Sequence, residues 1–305
     1  MEFGRRWPVG VRHFFPGRTH SQHCPPRIYI FLKRNPIAVC AALRKSRPRR
    51  GRFGCYVLLA ALYVLTRAAD QVPVRQKEGL THGFLSLRSL DDKRLAEGES
   101  TVTTQGDIVT NHLVFRFRDG SIYEDTSEFS QKTRFRLLKD HLIQKGPSFP
   151  QPMETWIDTG TGQVVVRYQT KDGKDHELKQ KLTLPPDLAN GILFTVIKDI
   201  SPQAPLTTLS YLVTTPQPRI VKIEIFPEAK KRLAAGSDDE AVVYRLKFKI
   251  GGVSGVMAHL AHKEPPDTHV WVLRSDAPTF IKSEGPLYAG GPIWRIAVVG
   301  PPGNF

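Results

Sequence analysis

"HLVFRFRDGSIYEDTSEF", His112–Phe129, decides how the rest of the chain is read. Apolar side chains recur at every second position, with Leu113, Phe115 and Phe117 on one face and Arg116 and Arg118 on the other. That period belongs to a strand, because successive strand side chains point to opposite faces. Asp119-Gly120 then reverses the chain. The dipeptide predicts a type I′ turn, whose two central residues both need positive φ. A hairpin with one apolar and one polar face is marginal alone, so further strands or a helix must cover its apolar face.

The same pattern recurs along the chain. "QVVVRYQTKDGKDHELKQKLTL", Gln163–Leu184, turns at Asp172-Gly173 and returns with Leu178, Leu182 and Leu184 on one face. "RIVKIEIF" alternates Val221, Ile223 and Ile225 with Lys222 and Glu224, and "VVYRLKFKI" alternates Tyr244, Leu246 and Phe248 with Arg245, Lys247 and Lys249. One segment departs from this rhythm. In "DLANGILFTVIKDI", Asp187–Ile200, the apolar residues Leu188, Ile192, Val196 and Ile200 fall four apart, which predicts a helix of about three and a half turns starting at Asp187. The helix stripe must be buried against the inner face of the sheet. The fold class expected is therefore mainly β: a large curved antiparallel sheet of a dozen or more strands, an open or half barrel, wrapped around one principal helix.

The formal net charge of +15 suggests a polyanionic partner until the charge is located. Residues 1–70 hold 14 basic and two acidic residues, and the remaining chain holds 30 basic and 27 acidic. A body so nearly balanced gives no electrostatic ground for nucleic-acid binding. The three cysteines, Cys24, Cys40 and Cys55, all lie in the same basic N-terminal portion, so the body has neither disulfides nor thiolate chemistry.

Residues 49–69 have the layout of a signal peptide, or of a short anchor: Arg49, Arg50 and Arg52, a mostly apolar run Phe53–Thr66, and small residues Ala68 and Ala69. The run is too short for the roughly 20 residues of a stable transmembrane span. Residues 1–48 are read as a basic, Pro-punctuated extension, either disordered or lying upstream of the true start codon, and residues 70–305 as one β-rich domain. The expected localisation is export to the periplasm or medium.

No motif for catalysis stands out. Asp158-Thr159-Gly160 matches the tripeptide of aspartic proteases, which need a second such carboxylate; here only a homodimer would supply it, and strand–turn–strand explains the same residues. His259, His262 and His269 have no zinc-motif spacing, and "IGGVSGVMAHLAHKEPPDTH" reads as a loop or lip. Glu124 and Asp125 are adjacent in a strand and point to opposite sides, so they do not pair with each other. No catalytic residue, metal site or cofactor is assigned.

Three stretches, "IDTGTGQVVV", "LTLPPDLANGILFTVIKDI" and "TLSYLVTTPQPRIVKIEI", give a strand pair, a Pro-led helix and returning strands. This order resembles the periplasmic lipoprotein-carrier half-barrels of the LolA and LolB type and related uncharacterised exported bacterial families. The closing "VWVLRSDAPTFIKSEGPLYAGGPIWRI" resembles the last strands of those uncharacterised families. The resemblance implies an unclosed barrel whose concave side holds a lipid or other apolar ligand. The ligand-binding candidates on the concave face and helix are Leu113, Phe115, Phe117, Leu188, Ile192, Val196, Tyr244, Leu246 and Phe248. The function expected is a non-enzymatic binding module. The alternatives are a structural or assembly protein of the cell envelope, with envelope proteins as partners and the helix as a plug, and, more remotely, an aspartic hydrolase.

Overall fold

The computed structural model describes residues 71–170, 172–232, 240–249 and 265–299. The extension, the signal segment and the lip with His259 and His262 lie outside them. Among the described residues the chain forms fourteen strands and one helix. The first eight strands are β1 (Thr81–Ser89), β2 (Arg94–Gln105), β3 (Ile108–Phe117), β4 (Ile122–Ser130), β5 (Arg136–Lys145), β6 (Met153–Asp158), β7 (Gln163–Gln169) and β8 (Asp175–Lys181). Helix α1 (Leu193–Asp199) precedes β9 (Thr207–Thr214), β10 (Pro218–Arg232), β11 (Glu240–Lys249), β12 (Thr268–Leu273), β13 (Thr279–Pro286) and β14 (Ile293–Val298).

All fourteen strands join one antiparallel sheet in the order β8-β7-β6-β5-β4-β3-β2-β1-β14-β13-β12-β11-β10-β9. The chain meanders outward from β1 to β8, crosses to β9 and meanders back until β14 pairs with β1, Leu87 opposite Ile296. The crossing dictates the curvature. Laid flat, fourteen strands would set β8 and β9 roughly 60 Å apart. Yet Leu188, seven residues beyond the last residue of β8, is already bridged to Ser210 of β9. Seven extended residues reach at most about 25 Å. The sheet must therefore curl until its edges approach, and register shifts in the β1–β2, β4–β5, β10–β11 and β12–β13 ladders supply local bends.

Two turn and helix expectations are corrected. At both Asp-Gly turns only the glycine has positive φ, Gly120 at 84° and Gly173 at 79°. The Gly120 amide donates to the Phe117 carbonyl (3.2 Å) and the Phe117 amide to the Ser121 carbonyl (2.9 Å). The Asp119-Gly120 reversal is therefore a three-residue loop with a left-handed glycine, not the two-residue type I′ turn expected there. The helix is two turns long, not three and a half, because Asp187–Gly191 takes a different structure. The Ala189 amide donates to the Ser210 carbonyl (2.9 Å), the Asn190 side chain exchanges two hydrogen bonds with the Leu212 backbone (2.8 and 2.9 Å), and Gly191 has φ of 64°. Asp187 supplies no helix N-terminus; its buried carboxylate accepts both contacts from the Ser210 hydroxyl at 2.9 Å.

The four expected stripe residues are nonetheless all buried, since a strand-like turn followed by a helix delivers them to the same core. One apolar cluster gathers Leu188, Ile192, Val196 and Ile197 with inner-face residues of β5–β7 and β9–β12. A second gathers Phe115, Phe117, Tyr123, Phe149, Leu87 and Ile296. Among the described residues, no helix is long and apolar enough to cross a membrane.

The Asn190 pairing makes a direct stability prediction. Asn190→Ala leaves the buried Leu212 N–H and C=O without partners, and should lower unfolding free energy by about 2–3 kcal/mol in urea titration; an unchanged midpoint would show that water replaces the amide at no cost.

Candidate functional site

The two apolar clusters do not meet everywhere. Between them lies a cavity of about 640 Å³, bounded by α1, by inner-face residues of β1–β4 and β11–β14, by Tyr211 of β9 and by the segment before β1. Its apolar wall includes Leu85, Leu113, Phe194, Phe248, Phe280 and Trp294. Phe194 of α1 and Phe280 of β13 pack ring on ring, with centroids 5.0 Å apart, and both touch the two clusters. Tyr211 and Phe248 meet edge to face at 5.6 Å.

The sequence-derived candidates divide by position. Leu113, Leu246 and Phe248 line the cavity. Leu188, Ile192 and Val196 are packed into the first cluster, while Phe115 and Phe117 are packed into the second. Tyr244 is fully buried, and its hydroxyl donates to the Ile200 carbonyl at 2.7 Å, satisfying an acceptor just beyond the helix end.

At one end the cavity wall is polar, with Ser100, Asn111, Tyr123, Asp125 and Tyr211. Asp125 on β4 is 8% exposed and Asp140 on β5 is 4% exposed. Ser127 pairs with Asp140 in the ladder, and Asp125 is two residues from Ser127 on the same face, so the two carboxyls are diagonal neighbours across adjacent strands. A bulge puts Asp140 there. Leu137 pairs with Phe129 and Lys139 with Glu128, leaving Leu138 as the extra residue. Continued in period two from the buried Leu137, β5 would turn Lys139 inward; the extra residue reverses the phase and turns Asp140 inward instead. Glu124 points the other way and bonds His112 at 2.8 Å, in keeping with the opposite orientations expected of Glu124 and Asp125.

The local donors are turned elsewhere. The Ser127 hydroxyl (3.2 Å) and the Asn111 amide (3.4 Å) both donate to the Gly191 carbonyl. Gly191 presses against the pair so closely that a Cβ there would collide with Asp140 Oδ1 and with the Ser127 side chain. Oδ1 of Asp125 and Oδ1 of Asp140 are buried without a hydrogen-bond donor. Burial raises the Asp125 carboxyl to about 6, against the lowering effect of its hydrogen bond with Asp140 and of His141 and His112. Burial also raises Asp140 well above the usual carboxyl range, reinforced by the neighbouring Asp125 charge, so the pair shares a proton that a free carboxyl would have released. The phenols of Tyr123 and Tyr211 are held un-ionised, by burial first and then by the same acids.

Other features have structural explanations. Asp158 accepts the amides of Gly160 (2.9 Å) and Thr161 (3.0 Å), which hold its carboxyl below the usual range as part of a turn. His269 lies on β12, 3.4 Å from Glu228. A smaller concavity of about 350 Å³ on the sheet beside Trp156 offers no open aromatic platform, since the indole stacks on His141 (4.8 Å) and carries the Arg167 guanidinium (4.7 Å). Among the described residues no group of three or more metal-ligating side chains converges.

No protein-family model matches the chain, and no curated protein matches it. A solved structure does: the crystal structure of a β-barrel-like protein of the domain of unknown function DUF1849 from Brucella abortus. The two are 10% identical, the match covers 76% of this chain and 98% of that one, and the TM-score is 0.38. The mainly β fold class rests on the strand pairing itself.

The acid pair makes stability depend on pH. Carboxyls raised above an unfolded value near 3.9 bind protons in the folded state that the unfolded chain has released, so their contribution is present at low pH and is lost as pH rises through about 6. Across that interval one carboxyl is worth on the order of 3 kcal/mol. Urea midpoints at pH 4.5 and pH 8 should show Asp125→Asn gaining relative to the wild type at the higher pH; a difference independent of pH contradicts the assignment.

Proposed function

We propose that the protein is an exported, non-enzymatic binding module that holds an apolar or lipid-like ligand in the cavity between α1 and the sheet. The observation that carries this reading is the cavity itself. A well-packed interior has few voids larger than a water molecule, whereas about 640 Å³ between two filled clusters falls in the roughly 300–1,000 Å³ range of small-molecule sites. Its aromatic and aliphatic wall matches a hydrocarbon chain. Burying about ten methylenes contributes roughly 8 kcal/mol gross, and the loss of rigid-body freedom removes several of these. The balance gives reversible, weak to micromolar binding suited to a carrier.

Export is supported by the arrangement of basic, apolar and small residues over 49–69. The carrier role is supported by the order of strand pair, helix and returning strands that resembles the periplasmic lipoprotein carriers. An envelope role in which the helix only plugs the barrel calls for a filled interior, and the void beside Phe194 and Phe280 favours ligand binding over it.

Native mass spectrometry of the purified protein, followed by solvent extraction, tests the reading. An adduct of a few hundred daltons carrying an alkyl chain is expected, and Leu113→Trp, which fills the cavity from its wall, should reduce its occupancy at least about fivefold. A protein that carries no adduct and takes up no added long-chain compound sinks the proposal.

A further inference from the structure

The polar end of the cavity sets a buried acid beside two un-ionised phenols, Tyr123 and Tyr211. Asp125 lines the cavity, is more than nine-tenths buried, and leaves Oδ1 without a donor; Asp140 behind it, off the cavity lining, is as deeply buried and also leaves Oδ1 without one. Two nearby side-chain donors are turned away from the acid pair. Ser127 and Asn111 both serve the Gly191 carbonyl. The two lysines on the cavity lining are paired as well, Lys77 with Asp107 at 2.7 Å and Lys198 with Glu78 at 2.6 Å. A buried carboxylate with no paired cation is costly, and a native chain normally supplies a partner. Among the described residues no ion pair reaches Asp125, and Asp125 borders the cavity, where a bound ligand would supply the missing cation.

The chemistry of that partner follows. It must carry hydrogen-bond donors and positive charge, because the pair holding one proton has a net charge of −1. It must also be narrow, since the Gly191 backbone closes the approach from the helix side. It must be attached to an apolar body, because much of the wall beyond Asp125 is apolar, with Leu85, Leu113, Phe194, Phe248 and Phe280. A fatty carboxylate or a phosphate head meets like charge at this end and is rejected. We propose that the Asp125 end of the cavity is a subsite for the head of a long-chain primary amine, whose ammonium group donates hydrogen bonds to the Asp125 carboxylate while the alkyl chain occupies the apolar wall. This rests on the cavity being a ligand site and adds the class of head group it selects.

Binding of dodecylamine, dodecanol, dodecanoate and dodecyltrimethylammonium to the full-length protein, by isothermal titration at pH 7.5 below their micellar concentrations, decides the matter. Dodecylamine is expected to bind about tenfold more tightly than dodecanol, as one charge-assisted hydrogen bond allows, and dodecanoate more weakly than either. Dodecyltrimethylammonium, charged but without N–H donors, should lose most of the advantage. In Asp125→Asn the amine-to-alcohol ratio should fall to within about twofold. Equal binding of amine and alcohol by the wild type, tighter binding of dodecanoate, or undiminished binding of the trimethylated head overturns the amine subsite while leaving a chain-binding cavity in place. Failure of all four compounds to bind removes the cavity reading itself. The wild-type series stands without the variant, should Asp125→Asn not fold.

Discussion

The five residues from Asp187 to Gly191 hold the architecture together by docking on β9. Their backbone and the Asn190 amide add a short pairing to a strand that would otherwise be a free sheet edge. A free edge with unpaired amides is a hazard, and this one is covered from within the chain. The opposite edge, β8, is protected differently, by the charges of Asp175, Glu177, Lys179 and Lys181. Because the docked segment begins only a few residues after β8, the same contact also brings the two edges of a fourteen-strand sheet towards each other.

The consequences reach the interior. Gly191 ends the docked segment in a left-handed conformation, so α1 starts at Leu193 and not at Asp187, and Phe194 arrives against Phe280. The Gly191 carbonyl takes up the Ser127 and Asn111 donors, and its missing Cβ leaves room for Asp140. The helix is held at its other end too: Asp199 accepts the amides of Arg75 (2.6 Å) and Gln76 (2.8 Å), which straps the segment before β1 across the barrel. A helix so short has little stability of its own, and its position is set by these tertiary contacts. The cavity lies between the two filled clusters, and Asp125 borders it where Ser100, Asn111, Tyr123 and Tyr211 make its wall polar.

Much of the sheet was legible because period-two alternation is a local signal. Leu113, Phe115 and Phe117 against Arg116 and Arg118, and Tyr244, Leu246 and Phe248 against Arg245 and Lys249, name both the strands and their buried faces without reference to any neighbour. The helix was legible only in part. Its four-residue spacing located the right buried side chains, but Asn190-Gly191 already marked a break, since Gly in the left-handed region ends helices. The acid pair was hidden for another reason. Asp125 could be assigned to the inner face by alternation, whereas Asp140 faces inward only because Leu138 bulges out of register with β4. No reading of β5 alone contains that phase shift.

The sequence by itself determined the class of fold, the polar and apolar faces of most strands, the buried identity of the helix stripe and the near-neutrality of the body, because each depends on residue type and short spacing. Tertiary structure decided which strands neighbour one another, how far the sheet curls, where the helix begins and which of the apolar residues face a cavity. Leu113 and Phe248 line that cavity while Phe115 and Tyr244 fill the core, although all four follow the same alternating apolar pattern. Burial patterns record that a side chain leaves water; only the closing of β9 by a distant segment determines whether it meets another side chain or a void.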